Sequence, residues 1–186
     1  MTRLLFFTAI CALLTSCMST KKRPNQTTAQ QSNPNNWSIT GKFALSNGKE
    51  SGSGKITYSV NGKNINAKFK APLGQGGWEI KQEKDKAELS STRHHPIYGN
   101  NAQTLVSQEL GWDFPWNSLT YWLRGYETNA KITPHTQTID KIDDNGWTIT
   151  YSKWANTSQG LLPQKIKAKK PPFSVKLIIY KWKVEK

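Results

Sequence analysis

Side chains able to act as acids, bases, nucleophiles or metal ligands are present in this chain, but they are scattered. His94 and His95 are adjacent, so an extended backbone points them to opposite faces, and His135 is distant in sequence. With no cysteine or HExxH-like spacing beside them, they read as surface histidines rather than zinc ligands. None of the many serines sits in a GxSxG elbow. Asp143 and Asp144 fall in Asp143-Asp144-Asn145-Gly146, a turn pattern in which aspartate serves backbone hydrogen bonding. Asp113 precedes Phe114-Pro115 and suits the cap of a following helix. No acid and base are paired, so no catalytic residue, metal or cofactor is expected and an enzyme is disfavoured. Its form would be a surface-anchored hydrolase depending on His94, His95 or a serine.

Thiol chemistry is left to two cysteines. Met1 to Ser16 has a single positive charge at Arg3 and then an apolar run from Leu4 to Leu14, as in a signal peptide. The run is too short for a permanent membrane span. It ends in Leu14-Thr15-Ser16-Cys17, similar to the bacterial lipobox, in which the cysteine thiol is acylated and the preceding segment removed. The alternative is a plain secretory signal with an incidental Cys17. Cys11 lies inside the apolar run and leaves with it either way. One remaining cysteine permits no intrachain disulfide. Residues 17–36 are polar and too poor in apolar groups to order themselves, so they read as a tether. The basic triplet Lys21-Lys22-Arg23 is a solvated part of that tether or a contact for anionic lipid.

What remains is apolar chemistry, and two stretches carry it. Gly111 to Tyr126, GWDFPWNSLTYWLRGY, holds three of the eight tryptophans and two tyrosines. Leu119, Trp122, Leu123 and Tyr126 recur at helical spacing, Pro115 suits a first turn, and Gly125 suits a stop. Just upstream, Ala102, Leu105, Val106 and Leu110 form a second stripe ended by Gly111. These two helices face either an ordinary core or an apolar cavity. The other stretch is Lys70-Ala71-Pro72-Leu73-Gly74-Gln75-Gly76-Gly77, richer in glycine than a strand connection needs. Leu73 at its tip is either a turn residue touching the core rim or an exposed apolar finger for a membrane or partner.

The elements that must position these groups are strands. Strands are read at Trp37–Leu45, Gly54–Val60, Ile65–Phe69, Trp78–Gln82, Ala87–Leu89, Ile139–Ile142, Trp147–Tyr151, Gln164–Ala168 and Phe173–Val184, most of them from alternation. Asn61-Gly62 and Asp143 to Gly146 are hairpin signals. The last strand is apolar on both faces, through Val175, Leu177, Ile178, Ile179 and Trp182, and is expected to be central or covered on both sides. About eight to eleven strands with two inserted helices form a long meander, and long meanders curl. The expected fold is mainly β: an unclosed antiparallel half-barrel with short helices covering its concave face. Residues 37–186 form it, long enough for one domain with a core. The formal charge of +14 would point to nucleic acid. Export and the dispersal of the lysines over alternating strand positions argue against that, and solvated outer faces account for most of the charge. A smaller share would steer an acidic partner.

Taken in order, the lipobox, Trp37-x-x-x-Gly41, Pro72-Leu73-Gly74, Leu110-Gly111-Trp112 with Pro115, Leu119-x-x-Trp122-Leu123-x-Gly125, Gly146-Trp147 with Tyr151, Pro163 and a final strand ending in Trp182 resemble the LolB family of outer-membrane lipoprotein receptors. The resemblance covers essentially the whole chain after Cys17. It implies an apolar cavity that takes acylated lipoproteins from the soluble periplasmic carrier LolA and releases them into the inner leaflet of the outer membrane. No covalent chemistry is implied. Leu73 matches the exposed loop leucine that engages the membrane. Phe43, Leu105, Leu119, Trp122, Leu123 and Trp147 are the expected acyl-chain cavity residues, and Cys17 the lipid anchor. Met18 after Cys17 implies outer-membrane delivery, by resemblance to sorting in enteric bacteria. The partners expected are LolA, acylated lipoproteins and outer-membrane lipid, with no nucleic acid, and the protein a monomer facing the periplasm. A lipoprotein that carries or stores phospholipid is the alternative. Gly76-Gly77-Trp78 departs from the family pattern and would make the loop longer or looser.

Overall fold

The computed structural model describes residues 35–111 and 114–184. The leader, Cys17, nearly all of the tether, Trp112 and Asp113 lie outside them. The described chain runs β1 (Asn36–Ser46), β2 (Ser51–Asn61), β3 (Asn64–Lys70), β4 (Gly77–Glu83), β5 (Lys86–Ser91), β6 (Ile97–Gly99), α1 (Ala102–Leu110), α2 (Trp116–Trp122), β7 (Lys141–Asp144), β8 (Trp147–Thr157), β9 (Gly160–Lys170) and β10 (Phe173–Val184). All ten strands form one antiparallel sheet, ordered β6-β5-β4-β3-β2-β1-β10-β9-β8-β7. β6 and β7 are its edges, so the barrel is not closed. Each half is a meander, and the first and last strands meet in the middle through the β1–β10 ladder. The inward side chains of both halves and the apolar faces of both helices share one core.

Turn chemistry sets the hairpins. Asn145 (φ 52°) and Gly146 (φ 78°) both take the left-handed conformation that a two-residue connection with the right twist requires. The β2–β3 turn closes on Gly62-Lys63, since Asn61 pairs with Asn64; this is one residue later than the Asn-Gly signal suggests. Three elements are new or much longer than alternation predicts. β6 pairs through three residues only, too few for a period. β8 and β9 run to Thr157 and from Gly160, because the ladder breaks register near Lys153. That irregularity accommodates Pro163, which lacks the N–H an unbroken central ladder needs.

Of the two expectations for β10, a central place is found and cover on both faces is not. Only one face is covered: Ile178 is 45% and Tyr180 56% exposed. The β1–β10 register shifts between Thr40 and Gly41, so Tyr180 is an extra residue on β10. A bulge reverses the side-chain parity beyond it. Val175, Leu177 and Ile179 therefore face the core before the bulge and Trp182 faces it afterwards. Gly41 opposite is required for this, since a Cβ there would run into the Ile178 carbonyl.

Candidate functional site

Under the two helices the sheet leaves an apolar cavity. Its walls are Phe43 and Leu45 of β1, Ile56 of β2, Phe69 of β3, Trp78 and Ile80 of β4, and Val175 and Leu177 of β10. Its roof is Val106 of α1, Phe114, and Trp116 and Leu119 of α2. Alternation of strand residues supplies the walls, and the helical spacing of Trp116 and Leu119 supplies the roof. The open volume is only ≈ 40 Å³, about the space of one water and far below the ~150 Å³ that admits a benzene ring. The helices therefore fill the site with their own side chains. Trp116 is 1% exposed and its ring lies 5.8 Å from Tyr58. Phe43 and Phe69 meet edge to face at 5.1 Å.

Fastening of the roof is uneven. Asn101 caps α1 by accepting from the N–H groups of Gln103 (2.7 Å) and Thr104 (3.3 Å). The Ala102 N–H donates to Gln82 of β4 at 2.7 Å, which ties the start of α1 to the sheet. At the end of α2, Trp122 Nε1–H donates to Asp144 Oδ2 at 2.8 Å, and the Tyr151 hydroxyl donates to the Trp122 carbonyl at 3.1 Å. The same Asp144 carboxylate accepts from the N–H of Thr128 at 3.1 Å and from its hydroxyl. Burial holds the Tyr151 hydroxyl protonated far above its usual range, with the Asp144 charge adding to the effect. Asp144 is thus a side-chain clamp on the helix rather than only a turn former. The first turn of α2 has no carboxylate clamp; its Ser118 hydroxyl bonds the Thr128 hydroxyl at 2.8 Å, and Thr120 just after it shares a 2.6 Å bond with the Tyr58 hydroxyl of β2. A 3.4 Å bond from the Asn117 N–H to Gln103 joins this turn to α1, and buried Trp116 Nε1 has no hydrogen-bond partner. Asp144→Ala should lower stability by about 2–4 kcal/mol, because several donors lose a charged acceptor together. Urea unfolding of the variant beside Asp143→Ala, whose carboxylate binds only exposed Lys141 and Thr148, measures the difference.

The cavity rim leads directly to Leu73. Phe69 and Trp78 are cross-strand partners on the cavity wall, and the chain between them is the loop that carries Leu73. Leu73 is 97% exposed and has φ 53°, ψ 28°. Left-handed backbone costs a residue with a Cβ about 1–2 kcal/mol, and here no packing compensates. A leucine in this place is explained neither by folding nor by local conformation. The loop's backbone is closed, with the Ala71 N–H donating to the Gly76 carbonyl at 2.9 Å and the Gln75 N–H to the Pro72 carbonyl at 3.2 Å. Its glycines have local causes: Gly76 has φ 109°, and a Cβ on Gly77 would strike the Phe69 carbonyl. They build a tight projection from the rim, closed by its own backbone bonds.

Of the residues expected to line a cavity, Phe43 and Leu119 do so. Leu105, Trp122, Leu123 and Trp147 are buried but lie in the surrounding packing instead of the lining; Trp122 packs at a tilt against Trp147, ring centres 5.6 Å apart. The reason is register. Trp122 faces the β7–β8 side of the sheet, whereas Trp116, six residues and not a whole number of turns earlier, faces β1–β4. Val106, Phe69 and Ile80 line the cavity and were legible only as apolar members of their stripes, and Trp116, outside the Leu119-to-Tyr126 stripe, lines it too. Pro115 precedes α2 as its cap, and Gly125 (φ 85°) ends the following turn. His94 and His95 are exposed. His135 stacks on Tyr126 at 4.4 Å and bonds the Arg124 carbonyl at 3.2 Å. Cys17 lies outside the described residues.

Comparison with known proteins gives a consistent answer. The family model described as outer membrane lipoprotein LolB matches residues 35–182. The outer-membrane lipoprotein LolB of Marinomonas sp. (strain MWYL1) is 33% identical, covering 98% of each chain. That of Francisella tularensis subsp. tularensis (strain WY96-3418) is 28% identical over 94% of this chain and 87% of its own. That of Tolumonas auensis is 25% identical over 94% and 93%. A solved β-barrel-like protein from Brucella abortus covers 81% of this chain and 98% of its own at 8% identity and a TM-score of 0.24, too low to bear on the fold. With its open half-barrel, helical roof and a family match spanning the described domain, the chain belongs to the outer-membrane lipoprotein LolB family.

Proposed function

We propose that this protein is an outer-membrane receptor that takes acylated lipoproteins from the periplasmic carrier LolA and inserts them into the inner leaflet of the outer membrane. The observation that carries the reading is the continuity of the site: an apolar cavity roofed by helical side chains, with a fully exposed leucine on the loop joining two of its wall residues. Acyl chains enter by displacing Phe114, Trp116 and Leu119, while Asp144 and Tyr151 hold the far end of α2. Each methylene taken in contributes about 0.8 kcal/mol, which offsets the lost roof contacts. Direction comes from a difference in affinity, since a chain moves to whichever cavity holds it more tightly. Leu73 enters the bilayer and brings the cavity mouth to it. No catalytic step is involved. Cys17, acylated, anchors the chain to the outer membrane through the tether, and residues 37–186 act as a monomeric half-barrel in the periplasm.

The test mixes the chain carrying Cys17→Ser with LolA already loaded with a radiolabelled lipoprotein and follows the label by pull-down. Movement of the label from carrier to this chain is the expected result. If the label stays on a carrier still competent toward outer membranes, the receptor reading fails. Binding of free phospholipid in its place would then make the protein a lipid carrier.

A further inference from the structure

The outer face of the sheet neutralises its lysines in one region and leaves them bare in another. On β3–β5, Lys68 pairs with Glu79 at 3.2 Å and Lys81 with Glu88 at 3.4 Å. In the middle of the sheet the register places lysine against lysine. Lys42 of β1 is opposite Lys55 of β2, and Lys55 is opposite Lys70 of β3. On the other side Lys42 is opposite exposed Ile178, which is opposite Lys165 of β9. One continuous cross-strand row therefore reads Lys165, Ile178, Lys42, Lys55, Lys70. Its four lysines are exposed, and among the described residues none makes an ion pair within 4.0 Å. A neighbouring cluster, Lys167, Lys169 and Lys176, extends it, and Lys169 and then Lys176 push the Lys167 ammonium below its usual range.

Like charges directly opposite one another on a sheet destabilise it, so folding alone disfavours this row. The row also has a direction. It ends at Lys70, the last residue of β3, immediately before the loop that carries Leu73. Lys42, Lys55 and Lys70 share with Pro72 and Leu73 a single open groove of about 670 Å³.

We propose that the Lys42–Lys55–Lys70 row is a docking strip for the phosphates of anionic phospholipids, which orients the half-barrel so that Leu73 enters the bilayer beside it. The proposal rests on the reading of Leu73 as the membrane-entering residue. Charge complementarity selects the occupant, and the shared groove selects a membrane over an acidic protein: the cations lie beside an exposed apolar side chain, the pairing that a bilayer surface satisfies with head groups outside and hydrocarbon beneath. Ile178, exposed within the row, and Tyr180, exposed at the bulge, fit the same interfacial setting.

The test is co-sedimentation of the whole chain carrying Cys17→Ser with phosphatidylcholine vesicles, with and without phosphatidylglycerol. The parent should bind the anionic vesicles more tightly, by an increment that fades as salt is raised. The K42Q/K55Q/K70Q variant should lose that increment, roughly fivefold per lysine and on the order of a hundredfold in all. It should melt no lower than the parent, because a like-charge row has been relieved. Three equally exposed lysines elsewhere, in K49Q/K63Q/K131Q, should cost much less. An unchanged increment in the first variant overturns the proposal, as does an equal loss in the second, which would make the effect one of net charge. Normal vesicle binding with lost capture from the loaded carrier overturns it in favour of an acidic protein surface. Leu73→Gly, which changes no charge, separates the two readings. It should weaken binding to neutral vesicles and keep the phosphatidylglycerol increment, so the leucine reading can fail while the strip stands.

Discussion

Replacing Leu73 with glutamate is expected to leave the protein folded and able to take cargo from its carrier, and to stop delivery into the bilayer. The stability part follows from exposure: at 97% accessible, Leu73 contributes no packing, and glutamate meets the same left-handed backbone cost. The loading part follows from position. Leu73 stands outside the cavity, whose wall ends at Phe69 on one side of the loop and Trp78 on the other. The delivery part follows from transfer energetics. Burying a leucine side chain is worth about 1.5–3 kcal/mol, and a carboxylate driven into hydrocarbon costs more than it returns. Delivery to vesicles should therefore fall by at least ~100-fold. The readout is the amount of labelled lipoprotein left on the receptor and the amount recovered with the membrane. Leu73→Gly completes the pair: it relieves the positive φ and should be no less stable, yet it should also deliver poorly. If the glutamate variant delivers at the parent rate, Leu73 has no part in insertion.

The second large effect concerns Trp116. The indole is 1% exposed and roofs a cavity with almost no free volume. Trp116→Ala should cost about 3–5 kcal/mol of folding stability, in the range for large aromatic truncations. Its effect on binding should have the opposite sign. An acyl chain must displace this ring from the closed site, so removing it leaves space already open. A fluorescent fatty acid should bind the folded fraction of the variant more tightly than the parent. Weaker binding, at a temperature where the variant is demonstrably folded, would make Trp116 a wall that grips the chain instead of a plug. Leu105→Ala is the matching control. It removes buried apolar surface outside the cavity lining, so it should lower stability without tightening acyl binding.

Much of this protein is legible in its sequence because the relevant signals are local. Alternation fixed which side of each strand meets the core: Trp37, Ile39 and Phe43 on β1, and Ile56, Tyr58 and Val60 on β2, are all buried. The helical stripes containing Leu105, Leu119 and Trp122 were readable for the same reason, as was the left-handed pair Asn145-Gly146. A string of hairpins leaves few arrangements other than a curled antiparallel sheet. Leu73 was a different case. Its residues alone favoured a rim contact over an exposed finger, and only resemblance to the family favoured the second. Its exposure and positive φ come from the geometry of the loop.

What the sequence could not contain were facts about register between segments far apart in the chain. Periodicity marks Trp116 and Trp122 as equally apolar. The pairing of β1 with β10 and the course of α2 across the sheet decide that Trp116 roofs the cavity while Trp122 meets Trp147 and Asp144. The apolar run of β10 suggested a strand that is central or covered on both faces; it is central, but one extra residue at Tyr180 reverses parity, and a bulge has no local signature once its partner strand is unknown. The lysines of β1, β2 and β3 looked like evenly spread, solvated charge. Cross-strand pairing alone turns Lys42, Lys55 and Lys70 into a row. Local pattern determined the type and facing of each element, because side-chain direction is set within a few residues. Tertiary structure decided the cavity, its plug and the lysine row, because each depends on which distant residues stand opposite one another.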